Sequence, residues 1–345
     1  MRWMMMRWLV LAAAALIVQT SSALAEPFQP VQAGPDGRLR PVPATHWQDP
    51  THSMLLDVAR AGQRLVAVGE LGIVLLSDDG GKTFRQAKSV PVSSTLTAVN
   101  FIDANRGWAV GQWGVIIATD DGGESWQLQR VDTSVDQPLF SVMFRNQNDG
   151  FAVGLWSLFL KTTDGGRTWT PIKLQPPPGS KRADRNLMKI FGDSKGTLYV
   201  AGEQGTVLRS TDEGATWNYL ASGYRGTFWT GMAAADGSLF VAGLRGTLYR
   251  SLDGGDSWAP VPSGASDSIT SLAEIGGTVV GVGLEGNVTA GETTGGRFSD
   301  QIRPDKKDLT GVIGAAPGRL IFTSTEGILT GAMPVGPVQT SRHAE

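Results

Sequence analysis

The chain has no cysteine among its 345 residues, which excludes disulfides, a cysteine nucleophile and thiolate metal ligands. Histidine is scarce as well: His46, His52 and His343 fall at no metal-binding spacing, so neither a metal nor a cofactor is expected. An excess of positive charge is missing. The formal net charge is −2, which argues against a general nucleic-acid binder, normally strongly basic. Beyond the first 25 residues no stretch approaches eighteen consecutive apolar residues, so a soluble mature protein is expected.

What is present begins with "MRWMMMRWLVLAAAALIVQTSSALA" at residues 1–25. Arg2 and Arg7 precede an apolar run too short to span a bilayer, and Ala23 and Ala25 stand at −3 and −1 of a cleavage site. This reads as a secretory signal peptide cut after Ala25, without the adjacent arginines of the twin-arginine route. The expected location is the periplasm. Residues 26–50 form a proline-containing leader, and residues 334–345 a flexible tail.

Between them the sequence repeats. Five phrases resemble one another: "SDDGGKTF" from Ser77, "TDDGGESW" from Thr119, "TTDGGRTW" from Thr162, "STDEGATW" from Ser210 and "SLDGGDSW" from Ser251. Their aspartates Asp79, Asp121, Asp164, Asp212 and Asp253 are spaced by 42, 43, 48 and 41 residues, a period that suits a four-stranded propeller blade. The text before each phrase repeats too, as in "LTAVNFIDANRGWAVGQWGVIIAT" (96–119) and "LFSVMFRNQNDGFAVGLWSLFLKT" (139–162). Worn copies begin at Ile269 and Leu309, making seven. Each copy holds three short runs rich in Val, Ile, Leu and Phe, split by Gly, Asn and Asp, then a weaker run after the aromatic residue. The expectation is an all-β, seven-bladed propeller over residues 51–333, since one blade cannot bury both faces alone. The last copy lacks a convincing fourth strand, and the segment around residues 37–43 is expected to supply it.

The repeated phrase falls between the third and fourth strands and reads as a rigid turn. Its aspartate accepts backbone N–H groups of the turn. Gly81, Gly123, Gly166, Gly214 and Gly255 take a conformation with positive φ. Phe84, Trp126, Trp169, Trp217 and Trp258 bury their rings near a blade seam. In form the phrase resembles the Asp-box, or bacterial neuraminidase repeat, and five intact copies make the match specific. That resemblance raises glycoside hydrolysis as an alternative, beside a glycan or small-ligand binder at the tunnel mouth. A sialidase resembles a six-bladed propeller with an arginine triad, a tyrosine nucleophile and an activating glutamate. Here the count is seven, and of four tyrosines only Tyr224 lies free of a strand pattern.

"FIDANRGWAVGQWGVIIATDDGGESW" (101–126) more closely resembles the photosystem II assembly and stability factor family of seven-bladed propellers, with the likeness running from about residue 54 to 333. The resemblance implies a non-catalytic scaffold that holds a membrane subunit. Related proteins in bacteria without photosystems, some beside RND-type exporters, imply an accessory role there. The signal peptide and the absence of an obvious arginine-rich patch set this chain apart from phototroph members. It is read as a bacterial relative that binds a membrane-protein complex, as a monomer.

A scaffold needs a working face. The loops joining second and third strands read "GELG", "GQWG", "GLWS", "GEQG", "GLRG", "GLEG" and "STEG", keeping their glycines while the middle pair varies. They lie opposite the aspartate turns and are expected to display Glu70, Trp113, Trp156, Gln204, Arg245, Glu285 and Glu326. Interblade loops add Arg182, Arg185, Tyr224 and Arg225. Aromatic and arginine side chains are the usual anchors of protein interfaces, and Trp113 and Trp156, in one slot of adjacent blades, are expected to stand side by side.

Overall fold

The computed structural model describes residues 31–35 and 39–334. Residues 1–25, expected to be a signal peptide, and residues 335–345 of the expected tail lie outside the described residues. Strands and turns make up the described residues, with only three-residue 3-10 turns of helical character among them. Seven antiparallel sheets follow one another as meanders. Blade two is typical, with strands Leu96–Phe101, Gly107–Gly111, Ile116–Thr119 and Gln127–Arg130. The seven-bladed, four-stranded plan predicted from the repeat is the plan of this fold.

The first strand of each blade touches the first strand of the next, and Leu309–Ala316 of the seventh touches Leu55–Ala61 of the first. First strands are therefore innermost, and the ring is closed. One hydroxyl recurs at the seams. Thr97 Oγ1 donates to the Leu139 carbonyl of the next blade at 2.6 Å, and Thr270 Oγ1 to that of Leu309 at 2.7 Å. Thr310 Oγ1 reaches the Leu55 carbonyl at 2.6 Å, so the closing seam uses the same bond as those two. Apolar side chains fill the space between sheets. Between blades one and two, Val66, Val68 and Leu76 pack against Leu96, Val99 and Ile117.

The leader takes a different path from the one expected. Val31–Ala33 pairs with Leu39–Pro41 as a separate hairpin. Residues 44–47 then run beside the first blade: Ala44 N–H donates to the Val90 carbonyl at 3.0 Å, and Trp47 N–H to Gln86 Oε1 at 3.1 Å. Gln86 Nε2 in turn donates to the Thr45 carbonyl at 2.8 Å. With their polar backbone groups satisfied there, they leave the seventh sheet three-stranded among the described residues.

Each aspartate turn is one hydrogen-bond network. In blade two Thr119 Oγ1 donates to Asp121 Oδ1 at 2.8 Å and accepts from the buried Gly123 N–H at 3.0 Å. The carboxylate also accepts from Ser125 N–H at 2.9 Å and from its hydroxyl. The other four turns repeat this arrangement around Asp79, Asp164, Asp212 and Asp253. Trp126 follows at 4% exposure, packed into the seam with the preceding blade; Phe84, Trp169, Trp217 and Trp258 are half-buried on seam clusters.

These bonds favour the charged carboxylate. The hydroxyls of Thr168, Thr216 and Ser257, then their N–H groups, lower Asp164, Asp212 and Asp253 from 3.8 to about 2. Asp79 is lowered chiefly by the Thr83 hydroxyl. At Asp121 burial works against the charge, and the Ser125 and Thr119 bonds outweigh it. A carboxylate whose folded pKa is depressed contributes stability above its unfolded pKa and loses it as pH falls through the folded one. The melting temperature is thus expected to drop between about pH 4 and pH 2, the window set by those shifts. Asp121→Ala removes one whole network and is expected to cost on the order of 1–3 kcal/mol. Thermal melts of both proteins across this range check it; an Asp121→Ala melt identical to wild type would contradict the structural role.

Candidate partner-binding face

Because each blade is an antiparallel meander, its loops alternate between two faces. Aspartate turns meet the hairpins between first and second strands: Gly122 N–H donates to the Asn105 carbonyl and Gly165 N–H to that of Asn148. On the other face, the turns between second and third strands meet the interblade loops, as where Gln112 N–H donates to the Thr95 carbonyl.

Those second-to-third-strand turns are Glu70–Gly72, Gln112–Gly114, Leu155–Ser157, Glu203–Gly205, Leu244–Gly246 and Leu284–Gly286. In each, the last two residues have positive φ, the signature of a tight type I′ hairpin turn, where Asn-Gly is the usual pair. The first of the two is never glycine or asparagine. Leu71, Trp113, Trp156, Gln204, Arg245 and Glu285 hold it at φ between 50° and 58°. The second is glycine except at Ser157, and space explains the glycine. A Cβ on Gly72 would lie 2.0 Å from the Val92 carbonyl oxygen. Ser157 instead turns its N–H and hydroxyl to the Arg185 carbonyl, at 2.9 and 3.0 Å.

The left-handed slot is held from behind. Its N–H is taken by a polar side chain of the loop entering the next blade: Trp113 by Asp136, Trp156 by Asn186, Arg245 by Ser268 and Glu285 by Asp308. Backbone geometry thus fixes where each side chain leaves the surface. Gln204, Arg245 and Glu285 are exposed as expected, and Trp156 is 58% exposed.

Other expected site residues fall elsewhere. Glu70 precedes the slot, which Leu71 fills, and its carboxylate accepts the Met54 N–H at 2.8 Å. Glu203 does the same for Asn186 N–H at 2.9 Å, so that position caps the entry to the innermost strand. Glu326 is exposed and pairs at the surface with Lys307 at 2.7 Å. Tyr224 packs on Phe228 and Tyr249 and shares its hydroxyl with Thr247, leaving it half-buried in a seam. Arg185 donates to Thr206 Oγ1 at 2.9 Å, while Arg182 and Arg225 remain exposed.

Trp113 and Trp156 do not stack. Trp113 is half-buried against the core of blades one and two. The loop after blade two lies between the two turns, bonded to both by Asp132 N–H to the Trp113 carbonyl and Leu155 N–H to that of Pro138. Val135 on this loop is 39% exposed, an apolar member of the face that sequence reasoning missed. Beneath Trp113, Arg130 donates to the Gly114 carbonyl at 2.6 Å; burial pushes it below the usual arginine value, with Asp132 opposing. On the same face a cavity of about 300 Å³ opens among Pro177, Pro178, Arg185, Gln204 and Tyr219. Among the described residues no group of three or more His, Asp or Glu is placed to hold a metal.

The sequence model of the Photosynthesis system II assembly factor YCF48 matches residues 85–273, more than half of the chain. The chain belongs to this family. Two solved structures share its fold. One, YCF48 bound to D1 peptide, aligns over 85% of this chain and 100% of its own with a TM-score of 0.66 at 17% identity. YCF48 from Cyanidioschyzon merolae aligns over 81% of this chain and 96% of its own, at 0.63 and 16%. At such identities the likeness is one of fold. Among curated proteins none matches the chain in sequence.

The slot residues differ in what their removal does. Arg245→Gly and Glu285→Gly relieve a left-handed residue whose side chain is exposed, and each is expected to raise stability by about 0.5–1 kcal/mol after the greater freedom of unfolded glycine is set against it. Trp113→Ala is expected to lower stability by roughly 2 kcal/mol, about half the loss of a fully buried ring. Denaturant midpoints measure all three. Glycine variants less stable than wild type would mean that the slot carries no strain.

Proposed function

We propose that this chain is an exported, non-catalytic assembly factor that holds a segment of a membrane-protein subunit across the face bearing Trp156. The observation that carries the reading is the repeated left-handed slot. Six turns accept a backbone conformation that glycine would adopt without strain, and five fill it with Trp, Gln, Arg or Glu. Strain kept at a surface position points to a role for the side chain. The family supports the same reading, because its structural relative carries a D1 peptide. Here the photosystem client is not carried over; the partner is a membrane protein of a bacterial envelope, an exporter component among the candidates. The signal-peptide pattern of residues 1–25 supports work in the periplasm, by a protein acting as a monomer.

Trp156 is the expected anchor, being the most exposed aromatic ring of the face. Purified wild type and Trp156→Ala, each tagged, are to be incubated with detergent-solubilised native membranes. A membrane protein is expected to co-purify with wild type and to fall at least tenfold with Trp156→Ala, about 1.4 kcal/mol, with no change in melting temperature. Equal capture by both proteins would overturn the assignment of this face.

A further inference from the structure

Around the ring, long basic side chains reach from one blade to the turn between third and fourth strands of the next. Lys161 Nζ donates to the Glu213 carbonyl at 3.1 Å. Arg209 reaches the Gly254 carbonyl at 2.9 Å and Asp256 at 2.6 Å. Arg250 reaches the carbonyls of Thr293 and Gly295 at 3.2 and 2.6 Å. All three stand third in the third strand of their blade, opposite the first residue of the fourth. From the second strand, Arg64 and Arg319 do the same for the Gly122 and Gly81 carbonyls, at 3.1 and 3.0 Å.

In the seam between blades two and three no basic side chain reaches the aspartate turn: Arg106, which stands where Arg64 and Arg319 stand in their blades, crosses instead to Gln147 Oε1 of blade three. Ala118 takes the third-strand position, opposite Gln127. The Gly165 carbonyl is met by Gln129 Nε2 at 3.0 Å and by Trp108 Nε1 at 3.4 Å. The space an arm fills elsewhere stays open here, as a cavity of about 500 Å³, within the range of small-ligand sites.

Its walls are unusual in carrying four carboxamides. Gln127, Gln147 and Asn148 join Gln129 there, with Arg106, Arg167, Asp120 and the aspartate-turn residue Asp164 around them. Two guanidinium groups are balanced by two carboxylates, and Arg106 is further engaged by Asp103 at 3.0 Å. A free anion or cation would meet opposite charge only beside like charge. Gln147 Oε1 already accepts from Arg106 and Gln129 Nε2 already donates to the Gly165 carbonyl, which leaves Gln127 and Asn148 to offer donor and acceptor on adjacent atoms, the pattern presented by neighbouring hydroxyls. The indole of Trp108 and the Ala118 methyl supply apolar surface. We infer that this cavity binds a neutral polyhydroxyl ligand, a sugar unit, on the face opposite Trp156. A ligand there and a protein partner on the Trp156 face do not compete.

Saturation-transfer NMR on the whole mature protein tests it, with maltotriose, cellotriose and chitotriose as neutral probes and sodium glucuronate as the charged comparator. Transfer to at least one trisaccharide is expected. Ala118→Arg places in this seam the arm that Arg209 places in its own, and is expected to weaken that binding at least tenfold with a cooperative melt retained. Gln127→Ala removes a wall amide without filling the cavity, is expected to weaken binding likewise, and decides the matter should the arginine variant fail to fold. No transfer to any trisaccharide, transfer to glucuronate alone, or full binding by a folded Ala118→Arg and by Gln127→Ala would overturn the inference.

Discussion

A non-glycine residue at positive φ costs free energy, and this chain accepts that at one equivalent position in six blades. The rest of the working face follows from it. A two-residue turn with both φ values positive is the shortest link that matches the twist of two antiparallel strands. It leaves its first side chain pointing off the surface and its N–H free for the next blade to take. The Asp136, Asn186, Ser268 and Asp308 side chains supply that acceptor. One constraint therefore joins neighbouring blades and sets the exit point of the displayed side chain, so that Trp, Gln, Arg and Glu exchange at fixed geometry.

The opposite face supplies rigidity. Five carboxylates, each bonded to hydroxyl and N–H groups of its own turn, hold the link between third and fourth strands. Basic arms then fasten four of those turns to the preceding blade. A ring tied in this way presents its other face with little conformational entropy left to lose on binding. Such pre-organisation suits a protein that must hold a partner's chain, and it explains why one face is uniform while the other varies.

Much of this was legible in the sequence, because glycine and aspartate mark backbone geometry directly. The spacing of Asp79 to Asp253 carried the blade count and the place of the rigid turns. Register within the variable turns was harder. In "GELG" either middle residue looks displayable, and Glu70 was taken for the outward one. The outward residue is the one just before the second glycine, since an X-Gly pair with both φ positive is the turn; read so, Leu71 would have been found. Tyr224 and Arg185 misled for another reason. Their partners Phe228 and Thr206 are set by how loops fold back, which composition does not encode. The leader was placed by the fourth-strand vacancy of the last blade, whereas its hydrogen bonds go to Gln86 and Val90 of the first. Ala118 aligns with Lys161, Arg209 and Arg250, but alignment alone does not say which carbonyl each arm reaches.

The central claim is that the Trp156 face, not the aspartate-turn face, meets the partner. A photo-reactive phenylalanine analogue placed singly at residue 156 and at residue 252 decides between them. Leu252, in an aspartate turn, is 62% exposed against 58% for Trp156, so apolar exposure alone does not favour either site. Irradiation in intact cells, followed by blotting and mass spectrometry, is expected to give a membrane-protein crosslink from position 156 and none from position 252. A crosslink from 252 with none from 156 would contradict the account.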